Sequence, residues 1–192
     1  MRGAILAFLV VVATAVGARS AFAHQPVFVD APTLELAYPI TELTYQTGIY
    51  GRLAAPGAVQ YYRLTLAEPR VISLFLLVPN SPPCRTFRPQ LALIGPGVSE
   101  LTAYAQLAAP EGMAILPVAS PFWGRYLDAD TRLPYFAGPR WYPELGAGTY
   151  YLAVFDETGG VGNFLLLIGD LDISPTDTDW LALAQLHHTC SS

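Results

Sequence analysis

Aromatic and arginine side chains are concentrated between Pro117 and Gly148, and their types suit ligand binding. Trp and Tyr rings offer a wide, stiff contact surface that can stack on sugar rings or anchor a partner protein. Arginines interleaved with them add hydrogen-bond donors. The candidate binding residues are Trp123, Tyr126, Trp141, Tyr142, Arg125 and Arg140. The alternative is that these rings cover an open end of the fold beneath a long loop.

Histidine occurs at three positions, His24, His187 and His188. If an export signal is cleaved after Ala23, His24 becomes the N-terminal residue, and its α-amine and imidazole can chelate one Cu²⁺ together. A second imidazole, from His187 or His188, would complete a site of nitrogen ligands that copper accepts. The alternative is that any residue can follow a signal peptide and that the two tail histidines are solvated.

Pairs of aspartates two residues apart suggest a calcium site. Asp128 and Asp130 form one pair, and Asp170 and Asp172 form the other, at the end of a predicted strand. Oxygen ligands from loops suit Ca²⁺. The further ligand spacing of an EF-hand is missing, so the alternative is that both pairs are solvated polar residues.

Loop carboxylates also raise the hypothesis of a hydrolase, with Asp128 and Asp130, or Glu111 and Glu144, facing each other across a cleft. No histidine lies between Gln25 and Leu186, and no G-x-S-x-G motif or phosphate-binding loop occurs. A serine or cysteine nucleophile would therefore need a terminal histidine as its base. We predict no catalytic residues and no enzymatic activity.

The chain begins with a predicted signal peptide over residues 1–23. Arg2 precedes an apolar segment, Ala4–Val16, and Ala21-Phe22-Ala23 has the small-residue spacing of a cleavage site. The predicted location is the periplasm, the cell surface or the exterior. Removal of this segment leaves 8 of the 10 basic residues against 15 acidic ones, a net charge of −7, and there is no lysine. Nucleic acid and anionic lipid are therefore disfavoured as partners.

Export would permit a disulfide, and Cys84 and Cys190 are the only cysteines. A bond between them would tie the C-terminal tail to the loop near Asn80. The alternatives are a reactive thiol or a thiolate metal ligand, but no C-x-x-C spacing supports a redox role.

Short apolar runs with close turn signals predict an all-β fold, an antiparallel β-sandwich or jelly roll in a single domain. Thr149–Phe155 and Asn163–Gly169 flank a glycine-rich connector and predict a β-hairpin that is apolar on both faces. Val59–Leu66 and Arg70–Val78 predict a second pair of strands. The predicted core residues are Tyr62, Leu64, Leu66, Ile72, Leu74, Leu76, Tyr150, Leu152, Val154, Leu165 and Leu167.

The predicted sandwich covers residues 24–173. Within it, residues 117–148 read as a long aromatic and proline-rich insertion, because prolines recur too often to sustain regular structure. Residues 174–192 are predicted to form a short helix and a tail. Ser174 is the predicted N-cap, and Trp180, Leu183 and Leu186 would share the buried face.

Three segments resemble the pre-peptidase C-terminal domains of secreted bacterial enzymes. They are YYRLTL at Tyr61–Leu66, the apolar strand at Arg70–Val78, and AGTYYLAVF with GNFLLLIGD within Ala147–Asp170. The resemblance implies a small β-sandwich accessory module without catalytic residues. The FAHQP and GPRWYPELGAGTYY segments are also similar to uncharacterised exported prokaryotic proteins, which implies no function.

The sequence thus favours an exported, non-catalytic binding or accessory module for a protein or a glycan. The alternative is a copper-binding protein that uses His24, and the second alternative is a hydrolase with loop carboxylates. No cofactor is firmly implied beyond the copper and calcium hypotheses.

Overall fold

The structure is a computed structural model that describes residues 25–98, 106–118, 122–170 and 179–190. It confirms the all-β, sandwich-like single domain. The first sheet has six strands in the order β1-β3-β13-β6-β10-β9, and the second has five in the order β2-β4-β12-β7-β8. A short ladder of β11 and β5 joins them at one end.

The strands and helices have the following bounds. The first sheet consists of β1 (Gln25–Phe28), β3 (Thr47–Leu53), β6 (Leu74–Pro79), β9 (Gly124–Leu127), β10 (Pro134–Trp141) and β13 (Gly162–Ile168). The second sheet consists of β2 (Tyr38–Ile40), β4 (Val59–Leu66), β7 (Gln90–Gly95), β8 (Ala114–Val118) and β12 (Gly148–Phe155). The short ladder consists of β5 (Arg70–Val71) and β11 (Glu144–Leu145). A 3₁₀ turn covers Pro82–Cys84, and the helix α1 covers Trp180–His188.

All predicted core residues are buried, but they do not all face the same layer. Most of them fill the space between the two sheets, where alternate side chains of the central strands meet. Leu165 and Leu167 instead lie on the outer face of the first sheet, with Tyr50 and Ala184 of α1. In β13 the inward residues are Phe164, Leu166 and Ile168. The prediction that Leu165 and Leu167 face the space between the sheets was therefore wrong. The outer face of β13 is as apolar as its inner face, because α1 covers it.

The predicted hairpin between Thr149–Phe155 and Asn163–Gly169 is wrong, although both strands exist. β12 pairs with β4 and β7 in the second sheet, whereas β13 pairs with β3 and β6 in the first. The connector crosses from one sheet to the other, and Asp156 Oδ1 accepts hydrogen bonds from Thr158 and Gly160 in it. Both strands are central in their sheets, which is why neither has a polar face.

Val59–Leu66 and Arg70–Val78 likewise do not pair with each other as predicted. β4 lies in the second sheet and β6 in the first, so the turn at Glu68-Pro69 begins a crossing and does not close a hairpin. Two neighbouring apolar strands joined by a turn have the same sequence pattern whether they pair or face each other. Only the pairing partners distinguish the two arrangements.

Among the described residues of the stretch 117–148, which are 117–118 and 122–148, regular structure continues where the prolines predicted its absence. β8 and β9 are edge strands, and β10 pairs with β6 and β9. Pro117 lies in an edge strand, Pro134 begins β10, and Pro139 falls where the β10–β6 register shifts. These are the positions in a sheet that tolerate a residue without an N–H group. The region is therefore part of the sandwich, and its description as an insertion without regular structure was wrong.

The helix α1 covers the outer face of the first sheet. Trp180 and Ala184 pack on Tyr50, Leu165 and Leu167, whereas Leu183 and Leu186 are exposed. The predicted face of Trp180, Leu183 and Leu186 was therefore wrong for its two leucines. The side of the helix that carries the histidines faces the sheet. A search for apolar periodicity does not detect a contact face of this kind. The predicted N-cap, Ser174, lies outside the described residues.

Candidate ligand-binding cleft

A cleft opens between the edges of the two sheets, and we call it the Trp141 cleft. It has a volume of about 500 Å³. β10 of the first sheet and β7 and β8 of the second form its walls. The residues that define it are Leu93, Pro96, Leu116, Trp141, Glu144 and Tyr150.

A bulge in β10 turns Trp141 toward the cleft. Ala137 and Arg140 both belong to the outer side of the first sheet, Ala137 in its apolar cluster and Arg140 above the ring of Phe75. Residues three apart in a regular strand face opposite sides, but the register shifts between these two positions and inserts one residue. Trp141, the next residue, consequently faces inward and packs against the core between the sheets.

Tyr150 lies at the back of the cleft and depends on Gly95 for its position. A Cβ atom on Gly95 would lie 2.2 Å from Cδ1 of Tyr150, well inside van der Waals contact. The tyrosine ring therefore rests directly on the backbone of β7. Glu144 is exposed at the mouth, where β11 holds it through the pairing of Glu144 with Val71.

The cleft offers aromatic and aliphatic surface with one carboxylate at its edge. Trp141 can contact a flat, weakly polar face of a ligand, and Glu144 can accept hydrogen bonds from ligand hydroxyl groups. Tyr150 is buried and closes the cleft behind Trp141. No histidine, cysteine, lysine or arginine is among its described lining residues. The described part of this cleft therefore supplies aromatic contacts and a single carboxylate.

Of the predicted binding residues, only Trp141 is among the described lining residues of the cleft. Trp123 packs against the core between the sheets, and Tyr126 meets the edge of the Phe75 ring on the outer side of the first sheet, with the ring centres 5.4 Å apart. Tyr142 has 55% of its side chain exposed. Arg125 is exposed, and Arg140 lies 4.7 Å from the centre of the Phe75 ring.

Arg88 is a contact that the sequence did not indicate. Its guanidinium lies 5.4 Å from the centre of the Trp123 ring and 4.4 Å from that of Phe136. Trp123 in turn rests on Gly138, because a Cβ there would lie 2.8 Å from the indole. Trp123 is thus enclosed by Arg88 and the β10 backbone. No local pattern links Arg88 to Trp123, since they are 35 positions apart in the chain.

The two tail histidines each contact a backbone carbonyl. His187 Nε2 lies 2.9 Å from the Gly51 oxygen, and His188 Nε2 lies 2.6 Å from the Pro134 oxygen. Burial lowers the pKa of His187 to about 4, so the imidazole is neutral at pH 7. Gly51 and Pro134 belong to different strands, β3 and β10. His24 lies outside the described residues, so the copper site stays a prediction.

The aspartate pairs have partners within the protein. Asp128 Oδ2 accepts hydrogen bonds from the amide and the hydroxyl of Thr131, and Asp170 forms an ion pair with Arg70 at 3.0 Å. Asp172 lies outside the described residues. Among the residues that the structure describes, no three His, Cys, Asp or Glu side chains group closely enough to hold a metal ion. The calcium hypothesis likewise stays a prediction.

Cys84 and Cys190 lie at disulfide distance, with their Cα atoms 6.0 Å apart. The predicted pairing of these two cysteines is confirmed. Cys84 is fully buried beside β13, and Cys190 follows the end of α1, so the bond fastens the helix to the sheet. Such a pair is typical of an oxidising environment. Within the described ranges, no helix is long and apolar enough to cross a membrane.

Comparison with known proteins adds no family to these observations. Neither a search of protein-family models nor a search of curated proteins finds a match to the chain. The resemblance to pre-peptidase C-terminal modules therefore stays a prediction.

Proposed function

We propose that this protein is an exported, non-catalytic binding module that holds an uncharged glycan in the Trp141 cleft. The observation that carries the proposal is a cleft of about 500 Å³ lined by Trp141 and Tyr150 with Glu144 at its mouth. That volume lies in the range of small-molecule sites. Export is supported by the signal-like segment of residues 1–23 and by the cysteine pair.

The composition of the cleft favours a sugar over a charged ligand. Pyranose rings have an apolar C–H face that packs on aromatic rings, and a rim of hydroxyl groups that donate hydrogen bonds to carboxylates. An acidic sugar would meet Glu144 without a described cation in the lining to offset the repulsion. A neutral oligosaccharide fits both the rings and the acid.

Isothermal titration calorimetry tests the proposal directly, because its signal does not depend on the tryptophan that is replaced. Trp141 is replaced in turn by Phe and by Ala, and each protein is titrated with uncharged gluco-, manno- and N-acetylglucosamine oligosaccharides. We expect one series to give saturable binding heat with the wild-type protein, Trp141→Phe to weaken binding, and Trp141→Ala to weaken it at least about tenfold. Tyr142→Ala is the matched control, because Tyr142 is an exposed neighbour outside the cleft lining.

Two outcomes would overturn the proposal. One is the absence of saturable binding to all three series at millimolar concentration. The other is binding that Trp141→Ala and Tyr142→Ala weaken equally, since the ligand would then contact a surface other than the cleft. Thermal unfolding of each variant separates loss of a contact from loss of the fold.

A further inference from the structure

A second cavity lies beneath α1, on the outer side of the first sheet, and we call it the His187 cavity. Its volume is about 360 Å³. β1, β3 and β13 supply its floor, and α1 supplies its roof. Its main lining residues are Phe28, Tyr50, Arg52, Asn163, Leu186 and His187.

Three buried polar atoms in this lining have no hydrogen-bond partner among the described residues. They are Arg52 Nε, Asn163 Oδ1 and His187 Nδ1. Asn163 is only 5% exposed, and it lies directly across from Arg52 in the β13–β3 pairing. A buried polar group without a partner costs free energy, so three of them beside one cavity favour a polar ligand. None of the three atoms is open to solvent in this structure, so a ligand reaches them through a shift of the side chains around the cavity.

The donor and acceptor character of each atom follows from its neighbours. Asn163 Nδ2 donates to the His187 carbonyl at 2.6 Å, so the amide cannot be reversed and Oδ1 remains an acceptor. His187 Nε2 lies 2.9 Å from the Gly51 carbonyl, which can only accept, so Nε2 carries the proton and Nδ1 is an acceptor. Arg52 Nε is a donor. The cavity therefore presents one donor and two acceptors.

We propose that the His187 cavity binds an uncharged amide attached to an apolar body. The amide oxygen accepts from Arg52 Nε, and its N–H groups donate to Asn163 Oδ1 and His187 Nδ1. A primary carboxamide satisfies all three atoms at once. A carboxylate satisfies Arg52 alone, because its oxygens would face the two acceptors and the Asp30 carboxylate, which also lines the cavity. A cation would be repelled by Arg52.

The mouth of the cavity supplies the apolar contact. Phe28, Leu183 and Leu186 line it and are 40%, 51% and 65% exposed. Exposed leucines on adjacent turns of a short helix, beside an exposed phenylalanine, form a small apolar rim. An apolar body on the amide would cover this rim while the amide enters between Arg52 and His187. Because burial keeps the His187 pKa near 4, Nδ1 remains an acceptor at neutral pH.

NMR titration with benzamide tests the proposal, with benzoate as the matched control probe. Benzamide is expected to shift the Asn163 side-chain amide and the His187 Nδ1 resonance with saturation, and benzoate to bind at least about tenfold more weakly. Arg52→Met should weaken benzamide binding about tenfold, because it removes the donor and keeps an apolar stem. Arg63→Met, on an exposed position of the second sheet, should leave binding unchanged.

Leu186→Ala provides a second variant, since an exposed position tolerates truncation without unfolding. It should weaken benzamide binding a few-fold through the lost apolar contact. The proposal is overturned if benzamide causes no saturable shift at about 20 mM, a high concentration even for a weakly binding small molecule. It is equally overturned if benzoate binds as tightly as benzamide, or if a crystal soaked with benzamide shows ordered water only in the cavity. These outcomes leave the glycan proposal for the Trp141 cleft unaffected, because the two sites share no lining residue.

Discussion

The Trp141 cleft and the His187 cavity differ in what builds them. The cleft lies between sheet edges, and its ring-bearing residues, Trp141 and Tyr150, come from β10 and β12. The cavity lies under a helix, and its polar atoms come from three elements that are distant in the chain, β3, β13 and α1. The cleft therefore depends on strand register, whereas the cavity depends on the docking of a short terminal helix.

This difference predicts unequal sensitivity to the disulfide. Cys190 follows α1 directly, and Cys84 lies beside β13, so the bond holds the roof of the His187 cavity. Without it, the helix would be held by the apolar packing of Trp180 and Ala184 and by the hydrogen bonds with Asn163, Gly51 and Pro134. The Trp141 cleft has no described lining residue on α1.

The largest expected effect is that of removing the disulfide. The cysteines are 106 positions apart, and closing a loop of that length contributes about 4–5 kcal/mol of stability in the chain-entropy model. Cys84→Ala with Cys190→Ala should lower the free energy of unfolding in urea by that order. In the folded variant, benzamide binding should be lost and glycan binding at the Trp141 cleft retained. Two free thiols per chain in the unfolded, unreduced wild-type protein would contradict the pairing itself.

The sequence predicted the strands well, because burial and β-propensity act locally. The sequence of Val59–Leu66 itself alternates, so this strand could be predicted from local pattern. The pairing of strands was predicted wrongly, because a connector that crosses between sheets and one that closes a hairpin both use turn residues. Phe155 and Gly162 flank such a connector, and nothing near them in the chain reports that β4 and β3 are their neighbours.

The candidate sites were predictable to different degrees, because they too depend on which strands pair. Trp141 could be identified from its residue type, but the bulge that turns it inward depends on the pairing of β10 with β6. Arg52 and Asn163 were not identified at all, because a lone arginine and a lone asparagine in apolar strands have no distinctive spacing. Their significance comes from being opposite each other under His187.

A substitution at Gly95 tests the cleft by altering its rear wall. Gly95→Ala places a Cβ against the Tyr150 ring and should cost about 1–3 kcal/mol of stability through overpacking. The displaced ring should weaken glycan binding while benzamide binding stays unchanged. Gly57→Ala is unsuitable as a control because its φ is +77°, whereas Gly124→Ala meets no atom within 4 Å and serves that purpose. Equal effects at Gly95 and Gly124 would contradict the proposed contact.

The stability that depends on the burial of His187 should respond to pH. The pKa of His187 falls from 6.5 to about 4 on folding, chiefly through burial, so the unfolded chain binds more protons between these values. Stability is therefore fully present above pH 6.5 and is lost as the pH falls toward 4. Between pH 7 and 5 the loss should be about 2 kcal/mol, measured by urea unfolding. His187→Gln should flatten this dependence, and an unchanged slope in that variant would contradict the assignment.

The smallest expected effect concerns Trp123, which the sequence placed with Trp141 in one binding surface. Arg88 lies over both Trp123 and Phe136, and each cation–π contact is worth about 0.5–1 kcal/mol at a partly exposed site. Arg88→Met should therefore reduce stability by about 1 kcal/mol in thermal or urea unfolding and leave glycan binding unchanged. Arg85→Met, at an exposed position three residues earlier, is the matched control and should have no effect. If Arg88→Met instead weakened glycan binding with stability unchanged, Trp123 would belong to an extended recognition surface together with Trp141.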